Sequence, residues 1–208
     1  MDGLVDNVQQ IETFKYFITH MSNMLPNKPL DILECFADDY GKRVYGRYVA
    51  KKLKMNQKTV SNILNKLETA GILKFSIEGK NKYYYLNRFN SNIKEIIKLV
   101  EINRKMKFIE RHKAIKDLFN KLEERAEGIL VVFGSYASFS PSKNSDLDIL
   151  VLGRIGEIED LERLYNLKIN IVKIDKQRFN KDDILVKEIV KNHVILKGNE
   201  EFVNLIWQ

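Results

Sequence analysis

Cysteine, proline, histidine and tryptophan are all scarce: one, three, three and one among 208 residues. A lone cysteine excludes an internal disulfide, and Cys35, set among Ile32, Leu33 and Phe36, is expected to be a small core residue rather than a reactive thiol. His20, His112 and His193 lie too far apart to give a zinc-ligand spacing, and each is expected at the surface or at a cap. No stretch approaches the roughly 18 to 20 consecutive apolar residues that span a bilayer. The start of the chain has neither the basic nor the apolar segment of a secretory signal, so a cytoplasmic location with no membrane partner is expected. Internal repeats and low-complexity segments are absent as well.

What is present is an ordinary globular balance, 44% hydrophobic and 30% charged, with length enough for two modest cores. The net charge of +7 is unevenly spread: Lys28 to Lys107 holds 18 Lys and Arg against 8 Asp and Glu, and the rest of the chain is slightly acidic. A basic half beside a near-neutral half points to a polyanionic partner for the basic half.

Four segments follow from patterning. Residues 1–27 place Val5, Val8, Ile11, Phe14, Phe17, Ile18, Met21 and Met24 at helical spacing, an apolar face that must pack on its own domain or on a second copy in a homodimer. Pro26 and Pro29 end that helix. Residues 28–90 read as helix (Leu30 to Tyr40), helix (Tyr45 to Leu53), turn, helix (Gln57 to Ala70), then two strands around Glu78-Gly79-Lys80-Asn81. Residues 91–126 read as a connecting segment of one long helix or two in series, with a strongly basic middle, Arg104 to Lys113, expected to be a solvated face or a rest for a nucleic-acid backbone. Residues 127–208 alternate strands and helices as a compact α/β unit.

The second segment resembles winged helix-turn-helix transcription regulators in the run from Ala50 to Leu73, A-x-x-L-x-M-x-x-x-T-V-S-x-x-L-x-x-L-E-x-x-G-I-L. The resemblance implies DNA as partner, although winged helices also serve as protein-docking modules. The outward face of the third helix offers Lys58, Thr59, Ser61, Asn62, Asn65 and Lys66, the side-chain types that base edges and phosphates accept in a major groove. Lys80 and Lys82 on the wing would reach the backbone or minor groove. Of Tyr83, Tyr84 and Tyr85, strand alternation buries one face, so core packing explains the run better than base stacking.

The fourth segment carries Val131 to Leu152, VVFGSYASFSPSKNSDLDILVL: an apolar strand, a Gly-Ser break, then Asp146 and Asp148 opening a second apolar strand. Residues i and i+2 of a strand share a face, so the two carboxylates stand side by side while Leu147 turns inward. Paired hard oxygens of this kind hold a divalent ion, and a glycine lets the backbone approach a phosphate. Gly134-Ser135, Ala137 and Ser145-Asp146-Leu147-Asp148 resemble the G-S-x-A-x-G…S-D-x-D signature of minimal nucleotidyltransferases of the DNA polymerase β-like superfamily, here fused to a winged helix in the archaeal manner. The resemblance runs from about Glu127 to the C-terminus. It implies a small mixed sheet, so the whole chain is expected to be α+β with two domains. It also implies Mg²⁺ or Mn²⁺ on Asp146 and Asp148, a nucleoside triphosphate on Gly134, Ser135 and Ser145, and transfer of a nucleoside monophosphate to a hydroxyl.

Two positions depart from the family pattern. Phe139 stands where a glycine is usual, and Asn170 stands where a third carboxylate usually completes the site. An amide carries no charge and accepts no proton near neutrality. Asp175 is an odd number of residues away and faces the other side of a regular strand. Two readings stand on this. The chain is either an enzyme acting on a nucleic-acid end, a small molecule or a partner protein as in antitoxin-like pairs, or a DNA-binding regulator whose nucleotidyltransferase-like domain senses nucleotides or assembles subunits.

Overall fold

The computed structural model describes residues 28–207; the helix expected over residues 1–27 lies outside them. The chain divides into two compact units, the second beginning at Lys94.

In the first unit, α1 (Lys28–Leu33) runs into a 3-10 turn at Glu34–Phe36, so the helix expected to reach Tyr40 stops early. The cause is local: Asp39 Oδ1 accepts from Gly41 N–H at 2.7 Å, its carbonyl accepts from Lys42 N–H, and Asp38 pairs with Lys42 Nζ at 2.6 Å. Aspartates that bond their own backbone neighbours compete with helix continuation. A two-residue strand, β1 (Val44–Tyr45), leads into α2 (Gly46–Leu53), which ends on Lys54 in the left-handed conformation. Asn56 caps α3 (Gln57–Thr69), its Oδ1 accepting from Lys58 and Thr59 N–H. The wing is β2 (Leu73–Glu78) and β3 (Asn81–Leu86), in a three-stranded antiparallel sheet of order β1-β3-β2. Leu33, Phe36, Val49, Val60 and Leu64 are completely buried between these elements. Cys35 joins them at 1% exposure, and burial pushes its thiol pKa up to about 11. This is a winged helix-turn-helix in the order the sequence predicts.

In the second unit, the stretch expected as one long helix or two in series is two, α4 (Ile93–Arg111) and α5 (Lys116–Arg125), separated by a 3-10 turn at Lys113–Ile115. Both supply core: Ile97, Val100, Phe108, Leu118, Phe119 and Leu122 are completely buried. Nor is the basic middle of α4 simply a solvated face. Arg104 is only 8% exposed beside Glu101, and Lys105 donates to Glu123 and to the Leu196 carbonyl. Lysine and arginine stems cover apolar surface while their charged ends find partners.

The remaining elements are β4 (Ala126–Phe133), α6 (Gly134–Ala137), β5 (Leu147–Ile155), α7 (Glu159–Tyr165), β6 (Ile169–Ile174), α8 (Ile184–Lys191), β7 (His193–Lys197) and α9 (Asn199–Trp207). The sheet order is β6-β5-β4-β7, with β5 and β6 parallel and the other two pairs antiparallel: the small mixed sheet expected. Ile129 to Val132 and Ile149 to Val151 are completely buried, so both sheet faces are covered. Such near-continuous apolar runs mark strands packed on two sides.

His193, expected at the surface or a cap, is completely buried at the start of β7. Its Nδ1 lies 2.6 Å from the Val190 carbonyl and its Nε2 3.4 Å from the buried Glu101 carboxylate. A ring nitrogen can leave water when polar partners meet it inside.

Candidate active site and nucleic-acid interface

Register assembles the site at one end of the four-stranded sheet. The last residue of β4, Phe133, pairs with Asp148, and Asp148 pairs across the parallel ladder with Asn170. Asp146 sits just before β5 and Leu147 is buried, as alternation predicts. Asn170 Nδ2 donates to both carboxylates, at 3.2 Å to Asp146 Oδ2 and 3.0 Å to Asp148 Oδ1. Lys168 Nζ reaches Asp146 Oδ2 at 3.3 Å. Thus the position where the resemblance implies a third carboxylate holds an amide, aligned directly opposite Asp148. Asp175 lies past the end of β6, where its side chain accepts from Gln177 N–H to cap a 3-10 turn.

Gly134 turns the chain behind Asp148 with φ at 70°, and a Cβ there would fall 2.5 Å from Asp148 Oδ2. Only a residue without a side chain lets the loop come this near the carboxylate. Ser135 follows in the single turn of α6, its carbonyl taken by Ser138 Oγ and Ser140 N–H. Ser145 stands beside Asp146, but its hydroxyl accepts from Ser142 N–H at 2.8 Å and closes the 142–145 turn. It shapes the approach to Asp146.

Phe139 takes the left-handed conformation, φ 58°, that a glycine would adopt easily. Its ring stacks on His112, with centroids 6.3 Å apart and planes 11° apart, and meets Phe108 edge-on. His112 also touches Phe108 at 4.8 Å and Tyr136 at 5.3 Å. Burial, assisted by the Arg111 charge, pushes the His112 imidazole below its ordinary value against an opposing backbone bond to Tyr136. Burial and the nearby Asp146 charge raise the Tyr136 phenol. An aromatic wall therefore stands beside the carboxylates. Lys168, Tyr136 and His112 were not singled out from the sequence. Lys168 had a usable signal, two residues before Asn170 on the same face of a strand; His112 had none.

The two carboxylates suit a hard divalent cation, whereas Asn170 presents a donor toward them and would have to turn its Oδ1 inward to ligate. Among the described residues no group of three or more His, Cys, Asp or Glu side chains is placed to hold a metal ion.

On the winged helix, Lys58, Ser61, Asn62, Asn65 and Lys66 are exposed on α3, Lys80 is exposed at the wing turn, and Thr59 and Lys82 are half-buried. Two of these side chains are tied down. Asn65 Oδ1 accepts from Tyr84 Oη at 2.7 Å and from Lys82 Nζ at 3.4 Å, and Lys82 Nζ lies 3.8 Å from the Phe75 ring centroid. Tyr84 is the buried member of the tyrosine run, at 4% exposure. Tyr83 and Tyr85 occupy the opposite sheet face, Tyr83 beside Tyr45 at 5.6 Å and Tyr85 beneath the Arg43 guanidinium at 5.6 Å.

The fold and the site together define a winged helix-turn-helix joined to a nucleotidyltransferase-like α/β domain. Residues 112–203, somewhat less than half of the chain, match the family model of the nucleotidyltransferase domain. The match takes in α5, which the sequence alone places in the connecting segment. No curated protein matches the chain. Similar solved structures include the homodimeric winged helix-turn-helix DNA-binding domain of a possible ArsR-family transcriptional regulator from Mycobacterium bovis, 20% identical, with 44% of this chain and 75% of that chain covered and a TM-score of 0.33. A protein of Archaeoglobus fulgidus is 25% identical, covering 39% of this chain and 90% of its own, with a TM-score of 0.34. A toxin-antitoxin structure with AMP-PNP is 18% identical, covering 50% of this chain and 78% of its own, with a TM-score of 0.31. No described helix is long and apolar enough to cross a membrane.

Proposed function

We propose that the chain binds nucleic acid through its winged helix and a Mg²⁺- or Mn²⁺-bound nucleoside triphosphate through its nucleotidyltransferase domain, and transfers the nucleoside monophosphate to a hydroxyl. The observation that carries this reading is the convergence of Asp146 and Asp148 at the sheet end with Gly134 immediately behind Asp148. When bound, the ion would polarise the α-phosphate and balance charge on the entering and leaving oxygens. Asp146 and Asp148 hold the ion, and Gly134 and Ser135 let the triphosphate lie close to the backbone. The acceptor oxygen forms a bond to the α-phosphorus as the bond to the bridging oxygen breaks, and pyrophosphate leaves with that electron pair. The acceptor proton passes to water, because the Asn170 amide does not take it. The acceptor is a macromolecule: a nucleic-acid end tethered by the basic winged helix or a hydroxyl of a partner protein. Residues Lys58, Ser61, Asn62, Lys66 and Lys80 are the nucleic-acid contacts, and a homodimer would present two such faces to a repeated site.

A second reading is favoured by one feature, the Asn170 amide that donates to both carboxylates. Without the third charge, the domain would bind nucleotide and act as a sensor for a DNA-binding regulator. Incubating the protein with Mg²⁺ or Mn²⁺ and each α-labelled nucleoside triphosphate, with DNA, RNA or no added acceptor, separates the two. Label on an acceptor or on the protein, absent from the D146N/D148N double variant, supports the enzyme. Nucleotide binding without any transfer supports the sensor, and wild-type binding retained by the double variant sinks the site assignment.

A further inference from the structure

The carboxylates of this site are unequal in what their oxygens face. Asp146 Oδ2 receives both Lys168 Nζ and Asn170 Nδ2, and Asp148 Oδ1 receives Asn170 Nδ2. Asp148 Oδ2 lies instead on the Gly134 side. The inner edge of the pair is thus lined by an ammonium and an amide donor, and the outer edge faces the phosphate loop.

Resting on the nucleotide-binding reading above, we propose that the site holds one divalent ion with its nucleotide, not two, and that the Lys168 ammonium supplies the positive charge of the second. Two arguments carry this. A second ion between the strands needs anionic oxygen directed inward from β6, and β6 offers an amide there. No third carboxylate among the described residues compensates. Meanwhile Lys168 is not an incidental surface lysine. Its carbonyl accepts from Leu147 N–H at 2.9 Å, and the next residue donates its N–H to Glu162 Oε1 at 2.7 Å. These bonds fix its backbone beside Asp146, while its side chain is 68% exposed and able to swing toward a bound polyphosphate. A lysine used as a compact point charge is a recurrent way of meeting phosphate oxygens. Asn170 in this scheme is a positioning residue: its amide NH2, donating once to each, holds two carboxylates in register.

The decisive measurement is Mn²⁺ stoichiometry by electron paramagnetic resonance on the full chain with a non-hydrolysable nucleoside triphosphate analogue. One Mn²⁺ is expected on the wild type, and two on N170D, which restores an inward carboxylate. For K168M, one ion is expected to remain while analogue affinity falls about 5- to 10-fold, the loss of a unit charge at contact distance near a solvated surface. Two ions on the wild type overturn the inference and leave nucleotide binding standing. Unchanged affinity in K168M overturns the role of Lys168. No ion on either the wild type or N170D overturns the inference together with the reading of the site beneath it.

Discussion

At the scale of single residues, Phe139 and His112 show how a departure from a motif is accommodated. A left-handed backbone costs a non-glycine residue about 1 to 2 kcal/mol, and Phe139 offsets it with ring contacts to His112 and Phe108. Removing the ring without relieving the backbone is therefore worse than removing both. In urea denaturation, F139G is expected to be more stable than F139A by about 1 kcal/mol, and the reverse order would show that position 139 is unstrained. His112 gives a pH dependence with a definite sign. Its imidazole is held below the ordinary value of 6.5, so as pH falls the unfolded chain takes the proton first. That contribution is complete above the ordinary value and declines as pH drops below it. Melting temperature measured from about pH 7.5 to about 5.5 should fall more steeply for the wild type than for H112Q, and parallel curves would contradict the assignment. None of this aromatic wall was legible in the sequence, because stacking between positions 112 and 139 depends on how α4 meets the end of β4. The carboxylate pair was legible, since a period of two requires nothing but the strand.

Among elements, α3 and the wing are linked by one clamp, Tyr84 and Lys82 on Asn65. The helix order and the wing were legible from apolar periodicity and from Gly71 and Gly79. The clamp was not, because a polar residue on an exposed helix face gives no sign of whether it waits for a ligand or holds a neighbour. Lys58 and Lys66, exposed on the same helix, have the free reach that Lys82 lacks. In DNA binding measured against salt concentration, K58A and K66A should each lower the log–log slope by about one phosphate contact. An unaltered slope would move the DNA to another surface. The basic run in α4 misled for a related reason: charge predicts solvent, but Arg104 and Lys105 lie against partners that only the fold brings near.

For the molecule as a whole, the strand-rich pattern from residue 127 suggests a boundary that the packing places elsewhere. Phe108, Leu118, Phe119 and Leu122 belong to the same core as Leu130, Ile149 and Val194, so α4 and α5 are part of the second unit. A fragment of residues 94–208 is expected to fold and to melt cooperatively, and one of residues 127–208 to be unfolded. Each large buried side chain is worth about 2 to 5 kcal/mol, so losing four removes as much as a typical domain stability of about 5 to 15 kcal/mol. A folded 127–208 fragment, by circular dichroism and amide exchange, would return those helices to the role of a linker. The amide in the ladder position opposite Asp148 has a consequence of another kind. Asparagine and aspartate codons differ by a single base, and the parallel register would set the new carboxylate straight into place. A three-carboxylate arrangement is thus one point mutation away from this chain, reachable by descent without rebuilding the fold.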